Sequence, residues 1–136
     1  MITHQNLSFP SFVYLFFNQL QIIRFMHPKT LLIAVIGPMA ELGENTEQFH
    51  SDVGEVIYHS GCKKLLVLGG DLGDSYLEGW KNAGGPKEDA KRFESMEELQ
   101  NDFQQDWDQR SIVLVKGSRS AAMERFVKAI LNHESE

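Results

Sequence analysis

Short apolar runs alternate along this chain with longer segments in which apolar residues recur at helical spacing. Continuous apolar runs, which are typical of strands covered on both faces of a sheet, occupy residues 30–36, 63–69 and 112–115. A shorter strand is predicted at residues 90–94. Because strands and helices alternate, we predict an α/β domain: a three-layer, Rossmann-like fold with a mainly parallel sheet, helices on both faces and right-handed crossovers.

The helical segments are defined by the apolar residues that we expect to face the sheet. In chain order these are Phe49, Val53, Val56 and Ile57; Leu77 and Trp80; Met96, Leu99, Phe103 and Trp107; and Met123, Phe126, Val127, Ile130 and Leu131. Ser95 and Glu98 have the spacing of a capping box, and Asn45 with Gln48 repeats it at an earlier helix start. The Gly-rich stretch 69–74 is predicted to be a flexible turn.

The first 28 residues differ from the rest in their aromatic and apolar content. We predict a separate N-terminal segment, 1–28, that is helical from about residue 11 and covers one sheet face, followed by an α/β domain at 29–136. No Lys or Arg precedes Arg24, which argues against a signal peptide, and polar residues interrupt the apolar run before it reaches membrane-spanning length. The alternative is that this apolar surface contacts a partner protein or domain.

Composition narrows the classes of function. The net charge of −6, with dispersed basic residues, argues against nucleic acid as a partner. Cys62 is the one cysteine, so neither an internal disulfide nor a cysteine-based zinc site is available, which suits a reducing compartment. We therefore expect a cytoplasmic location.

The segment that follows the last apolar run carries the candidate chemistry. Lys116, Gly117, Ser118 and Arg119 form the turn between a predicted strand and a predicted helix. Free N–H groups at a helix start, with two cationic side chains beside them, favour a carboxylate or phosphate. The same sequence also suits an ordinary connection, with Gly in the turn and Ser as an N-cap. It is not a phosphate-binding P-loop, because no Gly-x-x-x-x-Gly-Lys-Ser/Thr run occurs in the chain.

The loops that follow residues 36, 68 and 115 all leave the carboxyl ends of predicted parallel strands. They are therefore expected to lie along one edge of the sheet, where open α/β sheets bind ligands. Asp71 and Asp74 in the second loop suggest a cation site, but two carboxylates are few ligands, and we expect no metal there.

Three segments, in order, resemble the carboxyl-terminal domain of the Mur ligases. Residues 32–44 resemble a family strand ending in Gly-Asp-Met-Ala-Glu-Leu-Gly-Glu, residues 50–54 a helix with His-x-x-Val/Ile-Gly, and residues 113–125 a late segment Val-Leu-Val-Lys-Gly-Ser-Arg-x-x-x-Met-Glu. The resemblance covers roughly residues 29–131. It is greatest to members that add D-alanyl-D-alanine to UDP-N-acetylmuramoyl-tripeptide.

The resemblance implies one domain of a three-domain enzyme of peptidoglycan precursor synthesis. Such ligases use ATP and Mg²⁺ to phosphorylate a substrate carboxylate, and the amine of the incoming substrate then forms an amide. By this resemblance, the residues that face D-alanyl-D-alanine or a similar amino substrate are Lys116, Gly117, Ser118 and Arg119, and those of a neighbouring loop at the domain interface are Gly37, Met39, Glu41, Leu42, Gly43 and Glu44. No catalytic residue is expected in this chain, and the resemblance gives His50 a packing or loop-bracing role.

The chain also departs from the family pattern. Pro38 stands where the family has Asp, which removes a carboxylate and a backbone donor. Of the family's Tyr-Asn-Ala-Asn-Pro segment, expected near residues 6–10, only Pro10 and the following Ser11 remain. The ATP loop and central domain are not in the sequence, so we expect a fragment or detached copy that holds no cofactor and is inactive by itself. The UDP-sugar and ATP-binding domains would then be supplied in cis or in trans.

Two other classes of function stay open on the sequence. The first is a non-enzymatic, flavodoxin-like binding or interaction module, for which a lysine at the end of the last strand is typical of receiver domains. A receiver needs an acidic pair after its first strand, and Gly37, Pro38 and Met39 do not provide one. The second is a remnant whose apolar first segment binds another protein.

Overall fold

The computed structural model describes residues 11–39, 46–108, 110–117 and 121–134. In chain order its elements are α1 (Ser11–Met26), β1 (Leu32–Ile36), α2 (Thr46–His59), β2 (Lys64–Leu68), α3 (Asp71–Asn82), a 3₁₀ turn (Lys87–Asp89), β3 (Ala90–Phe93), α4 (Met96–Asp106), β4 (Ile112–Lys116) and α5 (Glu124–Glu134). Strand and helix alternate as the apolar pattern predicted.

The four strands form one parallel sheet in the order β3-β2-β1-β4. The chain first moves outward from β1 through β2 to β3, with α2 and α3 packed on one face of the sheet. It then returns through α4, on the opposite face, to place β4 on the other side of β1. Right-handed crossovers require this change of face when the direction of travel reverses. The predicted three-layer α/β fold is confirmed.

The two faces of the sheet have separate apolar cores, because side chains alternate along each strand. In β1, Leu32, Ala34 and Ile36 face α1, α2 and α3, whereas Ile33 and Val35 face α4 and α5. All five residues of β1 are buried. A central strand covered on both faces accounts for the continuous apolar run at this position.

Strand β4 is less covered than the sequence suggested. Within the described part of the chain it pairs with β1 alone, and all five of its residues are half-buried. The expectation of a strand buried on both faces is wrong here because β4 lies at the edge of that four-stranded sheet. Its neighbour α5 buries Phe126 and Ile130, but Val127 is 39% and Leu131 57% exposed, so these two predicted core residues face outward.

The start of α3 also differs from the prediction. Asp71 begins the helix, so the predicted flexible turn 69–74 is helical from its third residue onward. Trp80 anchors the helix as predicted, whereas Leu77 is half-buried and Tyr76, which was not predicted as an anchor, is fully buried. At the start of α4, Ser95 caps the helix as predicted: its hydroxyl oxygen accepts a hydrogen bond from the Glu98 N–H at 3.2 Å.

Helix α1 packs on the same face of the sheet as α2 and α3. Leu20 is buried in that core, and the Arg24 guanidinium donates to the carbonyl oxygens of Thr30, at 3.1 Å, and Gly61, at 2.6 Å. Phe25, near the end of the helix, is 86% exposed. None of the helices within the described residues combines the length and apolarity that crossing a bilayer requires.

Helices α2 and α3 approach closely because glycines lie at their contact. A Cβ atom on Gly54 would lie 2.0 Å from the Tyr76 carbonyl oxygen, and one on Gly79 would lie 1.8 Å from the Ser51 carbonyl oxygen. Both contacts would be with backbone, which has little freedom to move aside. The close packing of α2 on α3 therefore depends on these glycines.

We predict that Gly54→Ala lowers the free energy of unfolding by about 1–3 kcal/mol, the usual cost of overpacking. The control is Glu55→Ala on the same helix, where the side chain is 47% exposed and a change within about 0.5 kcal/mol is expected. Urea denaturation followed by circular dichroism measures both. Equal stability of the two variants would contradict the close approach of α2 and α3.

We also predict that Cys62 is chemically inert in the folded protein. Burial raises the pKa of its thiol to about 12, and nearby Arg24 offsets this only in part, so little reactive thiolate forms at pH 8. Ellman's reagent should react with the native thiol roughly a hundredfold or more slowly than with the urea-unfolded thiol. In the variant Lys81→Cys, a second thiol at an exposed position should react at once; equally fast reaction of Cys62 would refute its burial.

Candidate functional site

The order in which the chain adds strands to the sheet reverses between β1 and β4. The chain therefore leaves these two neighbouring strands toward opposite faces of the sheet. Ile36 pairs with Lys116 at their carboxyl ends, and the Gly37 N–H donates to the Lys116 carbonyl oxygen at 2.7 Å. Open α/β sheets bind their ligands in the crevice that this arrangement creates. The described parts of the loops after β1 and β4, residues 37–39, 117 and 121–123, lie at this crevice.

Two glycines let the backbones of these loops meet. A Cβ atom on Gly117 would lie 3.3 Å from the Gly37 Cα and 2.6 Å from the Met123 Cγ. A Cβ atom on Gly37 would lie 2.8 Å from the Met123 Sδ and 3.0 Å from the Ala121 Cβ. Met123 and Ala121 thus pack over the glycine pair, and the floor of the crevice is backbone covered by small or flexible side chains.

Two buried side chains from α2 and α3 hold the loop after β1. The Tyr76 hydroxyl donates to the Gly37 carbonyl oxygen at 3.0 Å. The His50 Nε2 accepts the Met39 N–H at 3.2 Å, while Nδ1 lies 2.6 Å from the Thr46 carbonyl oxygen. The loop-bracing role expected of His50 is confirmed.

Burial determines the charge states of His50 and Tyr76. Desolvation lowers the pKa of His50 below its ordinary value, and the hydrogen bond to Thr46 offsets this only partly. Burial raises the pKa of the Tyr76 phenol well above its ordinary range. Both side chains are therefore neutral at pH 7, which fits Nδ1 of His50 as donor and Nε2 as acceptor.

Lys116 lies at the end of β4, half-buried. It contributes to an open groove of about 420 Å³ between β4 and α1, which is also lined by Gln19, Ile22, Ile23, Leu114 and Val115. Lys116 thus borders both the carboxyl end of β4 and the groove on the α1 side. A cation at this place would attract the carboxylate of a small ligand.

The segment after Gly117 differs from the prediction. Helix α5 begins at Glu124, so it does not follow the Lys116 turn directly, and Met123 lies before the helix instead of within it. Ala122 has φ 49°, in the left-handed region. The Arg125 guanidinium donates to the carbonyl oxygens of Ala121 and Ala122, both at 3.0 Å, which holds this turn against the glycine pair.

The other predicted site residues divide into two groups. Gly37 is buried and Met39 and Gly117 are half-buried at the crevice. The remaining six, Glu41, Leu42, Gly43, Glu44, Ser118 and Arg119, lie outside the described residues. The anion site that was predicted from the full set of loop residues therefore stays a prediction.

The loop after β2 reaches the same edge of the sheet, as expected from parallel strands. A Cβ atom on Gly69 would lie 3.6 Å from the Pro38 Cδ, so this loop borders the loop after β1. The Asp74 carboxylate at this side pairs with Arg92 at 2.8 Å. The described residues contain no group of three or more side chains suited to hold a metal ion.

Sequence reasoning missed Tyr76 and Arg125 as parts of the site. Tyr76 stands four residues before Trp80 and shares its helix face, a spacing that could have indicated a buried aromatic residue. Its bond to Gly37, 39 residues away, has no local signal. Arg125 acts on carbonyl groups three and four residues before it, within a turn that the periodicity assigned to the helix.

Comparison with known proteins places this chain in a family. The family described as "Mur ligase, glutamate ligase domain" matches residues 17–119. The UDP-N-acetylmuramoyl-tripeptide--D-alanyl-D-alanine ligase of Buchnera aphidicola is 32% identical over 99 residues, which are 73% of this chain and 20% of that protein. The enzyme of the same name from Rickettsia prowazekii is 28% identical over 94 residues, 69% of this chain and 20% of that protein.

Solved structures agree on the fold. A crystal structure of MurF from Acinetobacter baumannii superposes with a TM-score of 0.67 at 23% identity, covering 85% of this chain and 25% of that one. MurF ligase from Thermotoga maritima, solved in complex with ADP, superposes with a TM-score of 0.63 at 21% identity. The match covers 82% of this chain and 24% of that one. The chain spans about a fifth of the length of the curated relatives it matches. It belongs to the Mur ligase family and corresponds to the carboxyl-terminal, glutamate ligase domain of these enzymes.

Proposed function

We propose that this chain is the substrate-binding carboxyl-terminal domain of a ligase that adds D-alanyl-D-alanine to UDP-N-acetylmuramoyl-tripeptide in peptidoglycan precursor synthesis. Its task would be to bind the incoming dipeptide by its carboxylate and to present the amine to the remainder of the ligase. The observation that carries the proposal is the crevice between β1 and β4, with Lys116 at its side and the Gly37–Gly117 backbone, covered by Ala121 and Met123, at its floor.

The crevice suits a small anionic amino substrate. Lys116 provides positive charge for a carboxylate, and the close approach of Gly37 to Gly117 brings the main chain of the two loops together at the ends of β1 and β4. Ser118 and Arg119, which follow in sequence, would add a hydroxyl group and a second cation to the same end of the crevice. The two curated relatives are named for D-alanyl-D-alanine, which supports this substrate over another amino acid.

The nucleotide would be bound elsewhere in the ligase. No phosphate-binding Gly-x-x-x-x-Gly-Lys-Ser/Thr run occurs in the 136 residues, and the described residues offer no cluster for Mg²⁺. ATP and Mg²⁺ are therefore assigned to the ATP-binding part, supplied in cis or in trans, where the substrate carboxylate would be activated. This chain would contribute binding and orientation of the attacking amine, and it would not form the amide bond by itself.

Isothermal titration with D-alanyl-D-alanine tests the proposal. We expect saturable binding in roughly the millimolar range, because one domain supplies only part of the contacts of a whole ligase. Lys116→Ala should weaken it about tenfold, the effect of losing one charge-assisted hydrogen bond, and Arg119→Ala should weaken it further.

The control is Lys128→Ala, which removes an exposed cation from α5 and should leave the affinity unchanged. Absence of heat at millimolar dipeptide would count against the substrate. Affinity that survives both Lys116→Ala and Arg119→Ala would place the binding site elsewhere.

A further inference from the structure

We propose that His50 and Tyr76 are positioning residues of the crevice, which hold the Gly37–Met39 loop in its binding form and release Met39 when His50 takes up a proton. The proposal concerns the chain's own loop, and it rests on the proposed function only for what that loop helps to bind. It extends the bracing contacts into a pH-dependent control of the site.

Tyr76 fixes the beginning of the loop. Gly37 is the first residue after β1 and is buried, so its carbonyl oxygen needs a partner within the protein. The Tyr76 hydroxyl provides it at 3.0 Å from a fully buried ring on α3. Since the Gly37 N–H is already bonded to Lys116, both polar backbone groups of this residue are held.

His50 fixes the loop two residues further along. Its ring is fully buried in the second turn of α2, and Nε2 accepts the Met39 N–H at 3.2 Å. Nδ1 lies 2.6 Å from the Thr46 carbonyl oxygen, an acceptor, which requires the proton of the neutral ring to be on Nδ1. The ring thus links the start of α2 to the loop after β1.

The two braces support each other. The rings of His50 and Tyr76 meet edge to face with centroids 4.6 Å apart, and Phe49 contacts His50 on a second side at 5.8 Å. Tyr76 reaches this position because Gly54 lets α3 approach α2. A shift of either ring would therefore disturb the other, and both ends of the loop would respond together.

Protonation of His50 would break one of these links. A proton on Nε2 turns the acceptor of the Met39 N–H into a donor, so two donors would face each other. Within the described part of the chain, the ring contacts the Thr46 carbonyl, the Met39 amide, Phe49 and Tyr76, and the phenol of Tyr76 is neutral. None is an anion that would favour the imidazolium, and the nearby start of α2 disfavours it.

The direction of the pH effect follows from this environment. Because the pKa of His50 is lowered on folding, the unfolded chain takes up a proton first as the pH falls below about 6.5. Stability is fully present above that pH and declines between it and the lower pKa of the folded state. The link between His50 and Met39 should be lost over the pH range around that lower pKa.

Proton and nitrogen NMR of the full chain, titrated from pH 8 to pH 5, tests the proposal. We expect the Met39 amide resonance to move with the same midpoint as the His50 ring, and that midpoint to lie below 6.5. In His50→Gln, where the amide oxygen of Gln can still accept the Met39 N–H, the pH dependence should disappear. In His50→Ala, amide exchange of Met39 should be about five- to tenfold faster, as for one lost hydrogen bond.

His59 gives the matched control, because it lies exposed at the other end of α2. His59→Gln should leave the titration of Met39 unchanged, and Tyr76→Phe should shift the midpoint of His50 and the Gly37 resonance. A Met39 resonance that does not follow His50, or that still titrates with the same midpoint in His50→Gln, would overturn the proposal.

Adding D-alanyl-D-alanine at pH 7.5 and at the low end of the titration separates this proposal from the proposed function. Weaker binding at low pH in the wild type, with no such loss in His50→Gln, supports both. If the dipeptide does not bind at either pH while Met39 still follows His50, the proposed substrate fails and the positioning role stands. Equal affinity at both pH values would show that the bond between His50 and Met39 does not position the binding site, and it would overturn the positioning role.

Discussion

The pairing of β1 with β4 is the constraint on which the site depends. These strands lie side by side, but the chain leaves them toward opposite faces of the sheet, an arrangement that opens a crevice where they end. The bond from the Gly37 N–H to the Lys116 carbonyl oxygen, at 2.7 Å, extends the pairing one residue past β1. The crevice is therefore a product of topology, and the side chains around it determine what it can hold.

The support for the crevice comes from α2 and α3. The two glycines at the contact of these helices allow Tyr76 to come close to His50, and the two rings then reach the loop after β1. This gives physical meaning to the spacing of His50, Val53 and Gly54: the first braces the loop, the second packs in the core, and the third admits α3. The motif is thus a packing arrangement that orients a loop.

Much of the fold could be predicted because its signals are local. Continuous apolar runs marked the strands, and helical spacing marked most of the helices. The start of α1, predicted near residue 11 from apolar content, agrees with Ser11–Met26. The order of strands in the sheet has no such local signal, because it depends on pairing between residues far apart in the chain. Nothing in residues 112–115 distinguishes an edge strand from a central one, so the partial exposure of β4 was missed. Gly73 was read as a turn residue, yet it is buried within α3, where a Cβ atom would lie 2.8 Å from the Arg92 side chain.

The position of the candidate site at one edge of the sheet could be predicted from the sequence, but the contacts that build the site could not. Parallel strands bring the loops after β1, β2 and β4 to one edge, which follows from the alternation of elements. The bond between Tyr76 and Gly37 joins residues far apart in the chain, and the Arg125 bonds depend on a left-handed residue at Ala122. Such contacts arise only once the helices have packed, and no periodicity encodes them.

The measurement that tests the central claim most directly is an amide-resolved NMR titration of the chain with D-alanyl-D-alanine. If the crevice between β1 and β4 is the binding site, saturable shifts should cluster at Gly37, Met39, Lys116 and Gly117, and those of β3 should be unaffected. Shifts centred on β3 or α4, or no saturable shift at any residue, would contradict the assignment of the site.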